Sequence, residues 1–591
     1  MKFCSRGSRN NHPLPLTTEG HFHGESGKPV PGGYYTITPQ LTLDTAARTI
    51  DWHQEVTMAH DTSVLIAGGS LNGLTTALLL AERGVPCVLV ERHPRTTLQY
   101  KFRGISPRSM EIYRSLGIED DIRARNPLDD TAAAVGRMAN LAAEEVSWQG
   151  IPWSDTSDLG PTKAATCDQD QLEPILRDHA QHRGADIRFN TELLTFVQSG
   201  DRVTARIRNR DTGSETDVRA SYLVAADGTD SPIRQSLKIA RHGPGVVQHW
   251  MNVIFETDLP PTLQGRPIRS MFVTDINGTF VPRGDGRWLM AVQYVPERGE
   301  TPADFTDAFC RDLIRRGAGQ ADVRVEIIDA RPWTAAAAVA DRFVDGRVFL
   351  VGDSAHVMPP TGGFGGNTGI QDAWNLAWKL DLVLQGVAAP QLLDSYDTER
   401  RPVADLTMAQ ALARLQAWFR DPSGKLPPPV PIVQDDTVVF GYRYPSGAFV
   451  AERGAGEHLF EDPRVPSGQP GSRAAQLFVE QDGRRISTID LFAGHWVVLG
   501  GPDGDSWSEL VRRLPAAAAL DADAYSVGRT GGLRDVDDRW QRAFGLGPDG
   551  AILVRPDGFI AWRAQNSTRD SHAGLEQAFE RLNVRGTVGR T

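Results

Sequence analysis

Apolar positions along this chain fall into runs whose spacing changes from segment to segment. Residues 1–60, rich in His, Gly, Pro and Thr, hold no sustained period and read as a disordered extension. Met58 directly precedes the first ordered pattern and reads as the natural start, with the upstream segment added by gene calling. From Ser63, SVLIAGG is a short apolar strand ending in glycines. LNGLTTALLLAERG then carries apolar residues at helical spacing up to a glycine stop, and VPCVLVE is a second apolar strand. Strand, helix and strand within about 30 residues predict a parallel βαβ unit.

The pattern differs beyond residue 245. MNVIFETDL, SMFVTDINGTFVP and RWLMAVQYVP are strand-like runs broken by Asn-Gly and Gly-Asp-Gly turn signals, which predicts an antiparallel sheet. GRVFLVGD returns to a buried parallel strand, and IQDAWNLAWKLDLVLQG follows as a helix. An α/β fold interrupted by a second, antiparallel domain accounts for this order. The expected division is 1–60 extension; 61–245 first part of the α/β domain, with strands of the second domain near 137–161; 246–334 antiparallel sheet; and 335–425 second part of the α/β domain. KLPPPVP, at 425–431, is a stiff linker. Residues 433–591 form a separate unit with strands in HWVVLGG and AILVRPDGFIAWR and a last helix near 572–583.

Composition narrows the possibilities. A chain of 591 residues is too long for one core and predicts three or four domains. A net charge of −11 disfavours nucleic acid or an anionic membrane as partner, since either rewards a basic surface. The four cysteines, Cys4, Cys87, Cys167 and Cys310, form no Cys-x-x-Cys pair and no zinc spacing, so no metal site is expected and a reduced, cytoplasmic setting fits. Cys87, inside VPCVLVE, reads as a small core hydrophobe. No apolar run is long enough for a membrane span, and the N-terminus lacks the apolar stretch of a signal peptide.

The first candidate site is the turn Gly68-Gly69-Ser70-Leu71-Asn72-Gly73, which aligns with GxGxxG with Ser70 at the second glycine. Such a turn aims backbone N–H groups and a helix N-terminus at a pyrophosphate, so Gly68, Ser70, Asn72 and Gly73 are cofactor candidates. Glu91, followed by Arg92, ends the second strand, where a carboxylate accepts from adenosine ribose hydroxyls and disfavours a 2′-phosphate. These residues point to FAD or NAD.

Two further segments carry a resemblance. VGDSAHVMPPTGGFGGNTGIQDAWNLAWKL, at 351–380, resembles the GD motif of the class A flavoprotein aromatic monooxygenases, the para-hydroxybenzoate hydroxylase-like enzymes. YLVAADGTDSPIRQSL, at 222–237, resembles their DGxxSxxR signature at Asp227, Gly228, Ser231 and Arg234. The three motifs occur in the family's order across roughly 61–425, and the likeness is nearest to polyketide hydroxylases with a C-terminal thioredoxin-like domain. The resemblance implies FAD held by Arg103, Gln169, Asp227, Asp353, Pro359, Gly362, Gly363, Gly365, Gly366 and Asn367, with Arg108 a weaker candidate. Asp353, on a strand tip, can accept from a ribityl hydroxyl, and the glycine loop before a helix can present N–H groups to the flavin edge.

The implied activity is hydroxylation of an aromatic, polycyclic phenolic substrate through a flavin C(4a)-hydroperoxide. NADPH or NADH would bind transiently as co-substrate with O₂, since no second Rossmann turn is evident. Baeyer–Villiger oxidation or epoxidation on the same scaffold is the alternative, and a non-catalytic flavin-binding protein the alternative of another class. No WxWxIP motif supports a halogenase. Phe364 is the foremost candidate for pocket contact, followed by Phe280, Trp288 and Tyr294, with Trp250, Phe272 and Trp333 in the same sheet region. No catalytic base is assigned; His356 is as consistent with a structural role. With no cysteine beyond residue 310, the C-terminal unit cannot exchange disulfides and is expected to serve stability or subunit contacts in a monomer or homodimer.

Overall fold

The computed structural model describes residues 60–97, 102–125, 134–149, 156–283, 286–418, 426–452, 458–528 and 532–582. Apart from its last residue, the expected extension 1–60 lies outside them. Strand β1 (His60–Ala67), helix α1 (Leu71–Glu82) and strand β2 (Cys87–Val90) form the expected βαβ unit, with β1 and β2 parallel. Helix α2 (Gln169–His182) and strand β3 (Glu215–Ala225) join this layer. β3 lies parallel to β1 on its other side, and Val348–Leu350 lies parallel to β3. These strands are apolar on both faces because helices cover both: Val64, Leu65, Ile66, Val88, Leu89, Val224 and Phe349 pack with Leu74, Leu78 and Leu376 in one core. Cys87 is part of it, and burial pushes its thiol up to about 12.

The second sheet is built mainly from β4 (Arg241–Glu256), β5 (Arg266–Val273), β6 (Gly278–Pro282) and β7 (Arg287–Tyr294), covered on one face by helix α3 (Asp307–Ala318). Its longest pairing joins β4 to β8 (Glu326–Ala340), antiparallel, with bulges. The strands therefore begin before 246 and run past 334, and the domain borders fall inside continuous strands. Strand Ala134–Met138 adds to β5 in parallel register and Ser147–Gln149 pairs with it, so the sheet is not purely antiparallel. Residues 150–155 of the expected 137–161 region lie outside the described residues.

Helix α4 (Phe364–Leu384) packs on α1, and helix α5 (Ser395–Trp418) packs on α4 and β8. The Pro-rich stretch after α5 is anchored rather than free. Gln416 and Gln410 donate to the carbonyls of Pro427 and Pro431 at 2.8 and 2.9 Å, and Arg414 donates to that of Val433 at 2.6 Å.

The C-terminal unit has a four-stranded sheet. β9 (Val497–Gly500) is parallel to β10 (Asp523–Ser526) and antiparallel to β11 (Ala551–Val554), which pairs antiparallel with β12 (Ile560–Ala564). Helix α6 (Arg569–Leu582) closes it, giving the thioredoxin-like order. Among the described residues no helix is long and apolar enough to cross a membrane.

Candidate functional site

A cleft of about 1130 Å³ opens where β1, β2, α1, α2 and β3 end. The sequence dictates its floor. Gly68 takes φ +110°, and a Cβ on Gly73 would overlap the Gly68 carbonyl oxygen, so the turn exists only with glycine at both positions. Ser70 is the N-cap of α1 but makes no capping bond; its hydroxyl donates to Glu173 at 2.5 Å instead. The first N–H groups of α1 therefore have no side-chain cap, a natural seat for an anionic group.

Glu91 stands at the rim. Its Oε1 accepts from His93 N at 2.8 Å and meets His93 Nδ1 at 2.5 Å, while its Oε2 accepts from Gly69 N at 2.6 Å and keeps a lone pair. Gln169, first residue of α2, donates to Ser70 Oγ at 2.9 Å and to Glu173 Oε1 at 2.6 Å. Glu173, which sequence reading missed, gathers Ser70, Gln169 and the Thr97 N–H; burial pushes its carboxyl up against these bonds. Its signal was present: Gln169 and Glu173 stand four apart on one helix face.

Asp227 accepts from Ile233 N at 3.1 Å, and burial pushes its carboxyl up. Ser231 caps Pro232–Ser236 at φ +29°, a conformation that favours glycine, and Arg234 clamps the turn to the Thr229 and Ser354 carbonyls, each at 3.1 Å. Asp353 lines the same cleft on the turn Gly352–Ser354. That turn is braced from within, since Gly352 N donates to Asp372 at 3.2 Å and Ser354 Oγ donates to the Ala225 carbonyl at 2.6 Å. His356 pairs with Asp372 at 2.7 Å, fully buried, and Arg400 holds the other carboxylate oxygen at 2.8 Å. Burial opposes the Asp372 charge, yet His356 and Arg400 outweigh it and keep the carboxyl below its usual range. His356 is thus a brace under the turn.

The structure brings Gly68, Ser70, Asn72, Glu91, Arg92, Gln169, Asp227, Asp353 and Gly366 around one cleft, with Gly73 directly behind it. Other expected ligands lie elsewhere. Arg103 forms a two-pronged pair with Asp168 at 2.6 and 3.0 Å and donates to the Pro282 carbonyl, tying this layer to the second sheet. Arg108 is buried against Glu111 at 2.7 Å. The glycine segment is shorter than expected: α4 already starts at Phe364, so Gly365, Gly366 and Asn367 are helical. Asn367 accepts from Ser106 N and donates to the Gly104 and Gly363 carbonyls. Pro359 is buried, and Gly362, Gly363 and Gly365 do not line the cleft.

The aromatic assignments also change. Phe364, 2% exposed, packs among Leu159, Ala411 and Val438–Phe440 under the Arg414 guanidinium. Phe280 and Trp288 are core beneath α3, and Tyr294 packs on His249 and Phe305. The opposite sheet face holds Gln248, Trp250 and Asn252 facing Ala335, Trp333 and Arg331, and Arg331 lines the cleft. Trp250 and Trp333 stack at 5.8 Å and 13°, held by Gln248 and Asn252 at 3.1 and 2.7 Å.

These residues fit a dinucleotide cofactor. Buried Asn72 Oδ1 and Asp227 Oδ1 have no hydrogen-bond partner, the α1 N-terminus lacks a side-chain cap, and a carboxylate stands at the rim. Residues 61–411 match the FAD binding domain family, and 467–583 match the aromatic-ring hydroxylase C-terminal family. A putative polyketide hydroxylase of Streptomyces halstedii is 42% identical over 86% of this chain and 94% of that protein. The tetracenomycin A2 monooxygenase-dioxygenase of Streptomyces glaucescens is 38% identical over 89% of this chain and 98% of its own. The crystal structure of aklavinone-11 hydroxylase with FAD and aklavinone is similar at a TM-score of 0.82 and 36% identity, covering 89% of this chain and 99% of that one.

Proposed function

Since the chain belongs to the FAD-dependent aromatic-ring hydroxylases, we propose that it hydroxylates a polycyclic phenol of the polyketide type, using NADPH or NADH and O₂. That it is a FAD-dependent monooxygenase follows from its family; the substrate class is our reading, supported by the names of its relatives. The observation that carries it is the stacked Trp250–Trp333 pair on the sheet face that also presents Arg331 to the cleft. A flat indole platform suits fused rings, and a guanidinium beside it suits a phenolate oxygen.

Bound FAD supplies the redox chemistry, accepting hydride from the nicotinamide and activating O₂. The chain's own residues position and shield. The α1 N-terminus would hold the pyrophosphate, Glu91 the adenosine ribose, and Asp353 and Asp227 the ribityl side of the cofactor. Gln248 and Asn252 lock the two indoles, so the substrate ring meets a rigid surface. Arg331 favours the ionised phenol, which makes the ring more electron-rich at the position oxidised. We infer a cytoplasmic enzyme that works as a monomer or homodimer.

The test is a panel of polycyclic phenols offered to FAD-loaded enzyme. A substrate should stimulate NAD(P)H oxidation and yield a product heavier by one oxygen atom. Stimulation that yields hydrogen peroxide alone from every phenol would contradict this reading.

A further inference from the structure

A second cleft, of about 400 Å³, lies where α1 and α4 meet the C-terminal unit. It shares no lining residue with the first. Leu71 lines the first cleft and Glu82 the second, so the length of α1, roughly 16 Å, separates them. A molecule bound there does not enter the first cleft. The volume falls in the range of small-molecule sites, which favour domain junctions.

Its walls are unusual in composition. Trp374 and Trp378 come from α4 and Trp496 from the start of the C-terminal sheet, with Leu79, Leu382 and Leu520 between them. Trp378 and Trp496 meet edge to face at 5.5 Å and 89°, and both indole N–H groups are buried without an acceptor. Arg83 lines the same cleft with its side chain 15% exposed, held loosely at 3.4 Å from Asp381 and 3.3 Å from the Gly494 carbonyl. Asp381 also accepts from Gln385 at 2.6 Å. Burial opposes the Arg83 charge, which a stronger set of acceptors would relieve. The unmade bonds here are therefore donors. Glu82, which pairs with Arg183, lines the cleft together with Asp381 and Asp521; three carboxylates face two guanidiniums and disfavour a free anion.

We propose that this junction is a second binding site, for a neutral, planar, fused-ring aromatic bearing carbonyl or hydroxyl oxygens. The indoles supply ring contacts, Arg83 supplies a donor to the oxygen, and the carboxylates exclude anionic analogues. A molecule of this kind bridges α4, which carries Gly366 of the first cleft at its start, to the thioredoxin-like unit.

The experiment is calorimetric titration of full-length, FAD-loaded enzyme with fluorenone, a redox-quiet aromatic ketone. Controls are a fluorenone carboxylate and the non-aromatic ketone cyclododecanone. The expected result is a binding class that Arg83→Met weakens by about tenfold or more. Ala519→Trp, which fills the rim from an exposed position, should abolish it while turnover of a phenolic substrate persists. If Arg83→Met does not fold, Ala519→Trp alone decides. The proposal is overturned if fluorenone does not bind, if Ala519→Trp leaves all binding unchanged, or if either control binds as tightly as fluorenone.

Discussion

Asp353 is exposed at the tip of a turn whose neighbours are committed to the interior. Gly352 and His356 bond Asp372, and Ser354 bonds the β3 strand end. Replacing Asp353 with Ala should leave these bonds in place and weaken FAD binding. One charge-assisted bond is worth about 1.5–3 kcal/mol, so FAD affinity should fall about 10- to 150-fold in a titration of apoprotein. Equal affinity would show that this carboxylate does not hold the cofactor. Arg555 is the contrasting case. It is fully buried with Glu399 at 2.7 Å, which also takes Lys379 at 2.8 Å. Burial lowers Lys379 to about 8 despite Glu399, so the cluster has little charge compensation to spare. Arg555→Ala should cost about 3–5 kcal/mol in urea unfolding, because Glu399 loses one of two cationic partners and Asp557 loses its pair in a fully buried cluster. A change below 1 kcal/mol, about the size of a surface pair, would refute that account. At this scale the sequence disclosed positions set by local geometry, such as the tight turn at Gly68 and Gly73 and the strand end at Glu91. It was silent where a distant partner matters: Arg103 pairs with Asp168, 65 positions on, which no local pattern reveals.

Elements were more legible than faces. The βαβ unit, the sheet runs and α4 follow from apolar spacing, but RWLMAVQY is apolar on both sides because the sheet lies between α3 and the cleft layer. Alternation does not tell which side meets the helix, and Phe280 and Trp288, pocket candidates by sequence, lie in the core beneath α3. α4 began early because two of the glycines read as loop, Gly365 and Gly366, are tolerated in its first turn, and the left-handed break falls at Gly362 and Gly363. One element contact carries a pH dependence. His242 of β4 lies 2.9 Å from Asp341 and 2.7 Å from Asp405 of α5, and these bonds raise its pKa above the usual 6.5. A raised folded pKa stabilises fully below the unfolded value and is lost as pH climbs through the folded one. The wild type should therefore lose a small increment of melting temperature between about pH 6 and pH 8 that His242→Gln lacks. Identical pH profiles would remove this contact from the account.

On the scale of the whole molecule, the thioredoxin-like unit is docked by both apolar and ionic contacts. Trp378 of α4 belongs to its core cluster, Arg473 reaches Glu111 at 2.6 Å, and Arg555 reaches Glu399. Absence of cysteine from 433–591 predicted a non-redox role, but nothing in the sequence announced that its arginines would enter the first 425 residues. Truncation after Pro431 should expose Trp378 and strand Glu399, and yield insoluble or aggregated protein. A soluble, monomeric truncation with the full-length melting temperature would contradict the docking. The most direct test of the central claim joins cofactor and chemistry in one preparation. FAD-loaded enzyme, NAD(P)H and a phenol that stimulates its oxidation are incubated under heavy-isotope oxygen, and the product is weighed. The account predicts one heavy oxygen atom in each product molecule, with FAD released on denaturation. Product oxygen drawn from water, or turnover without FAD, would contradict it.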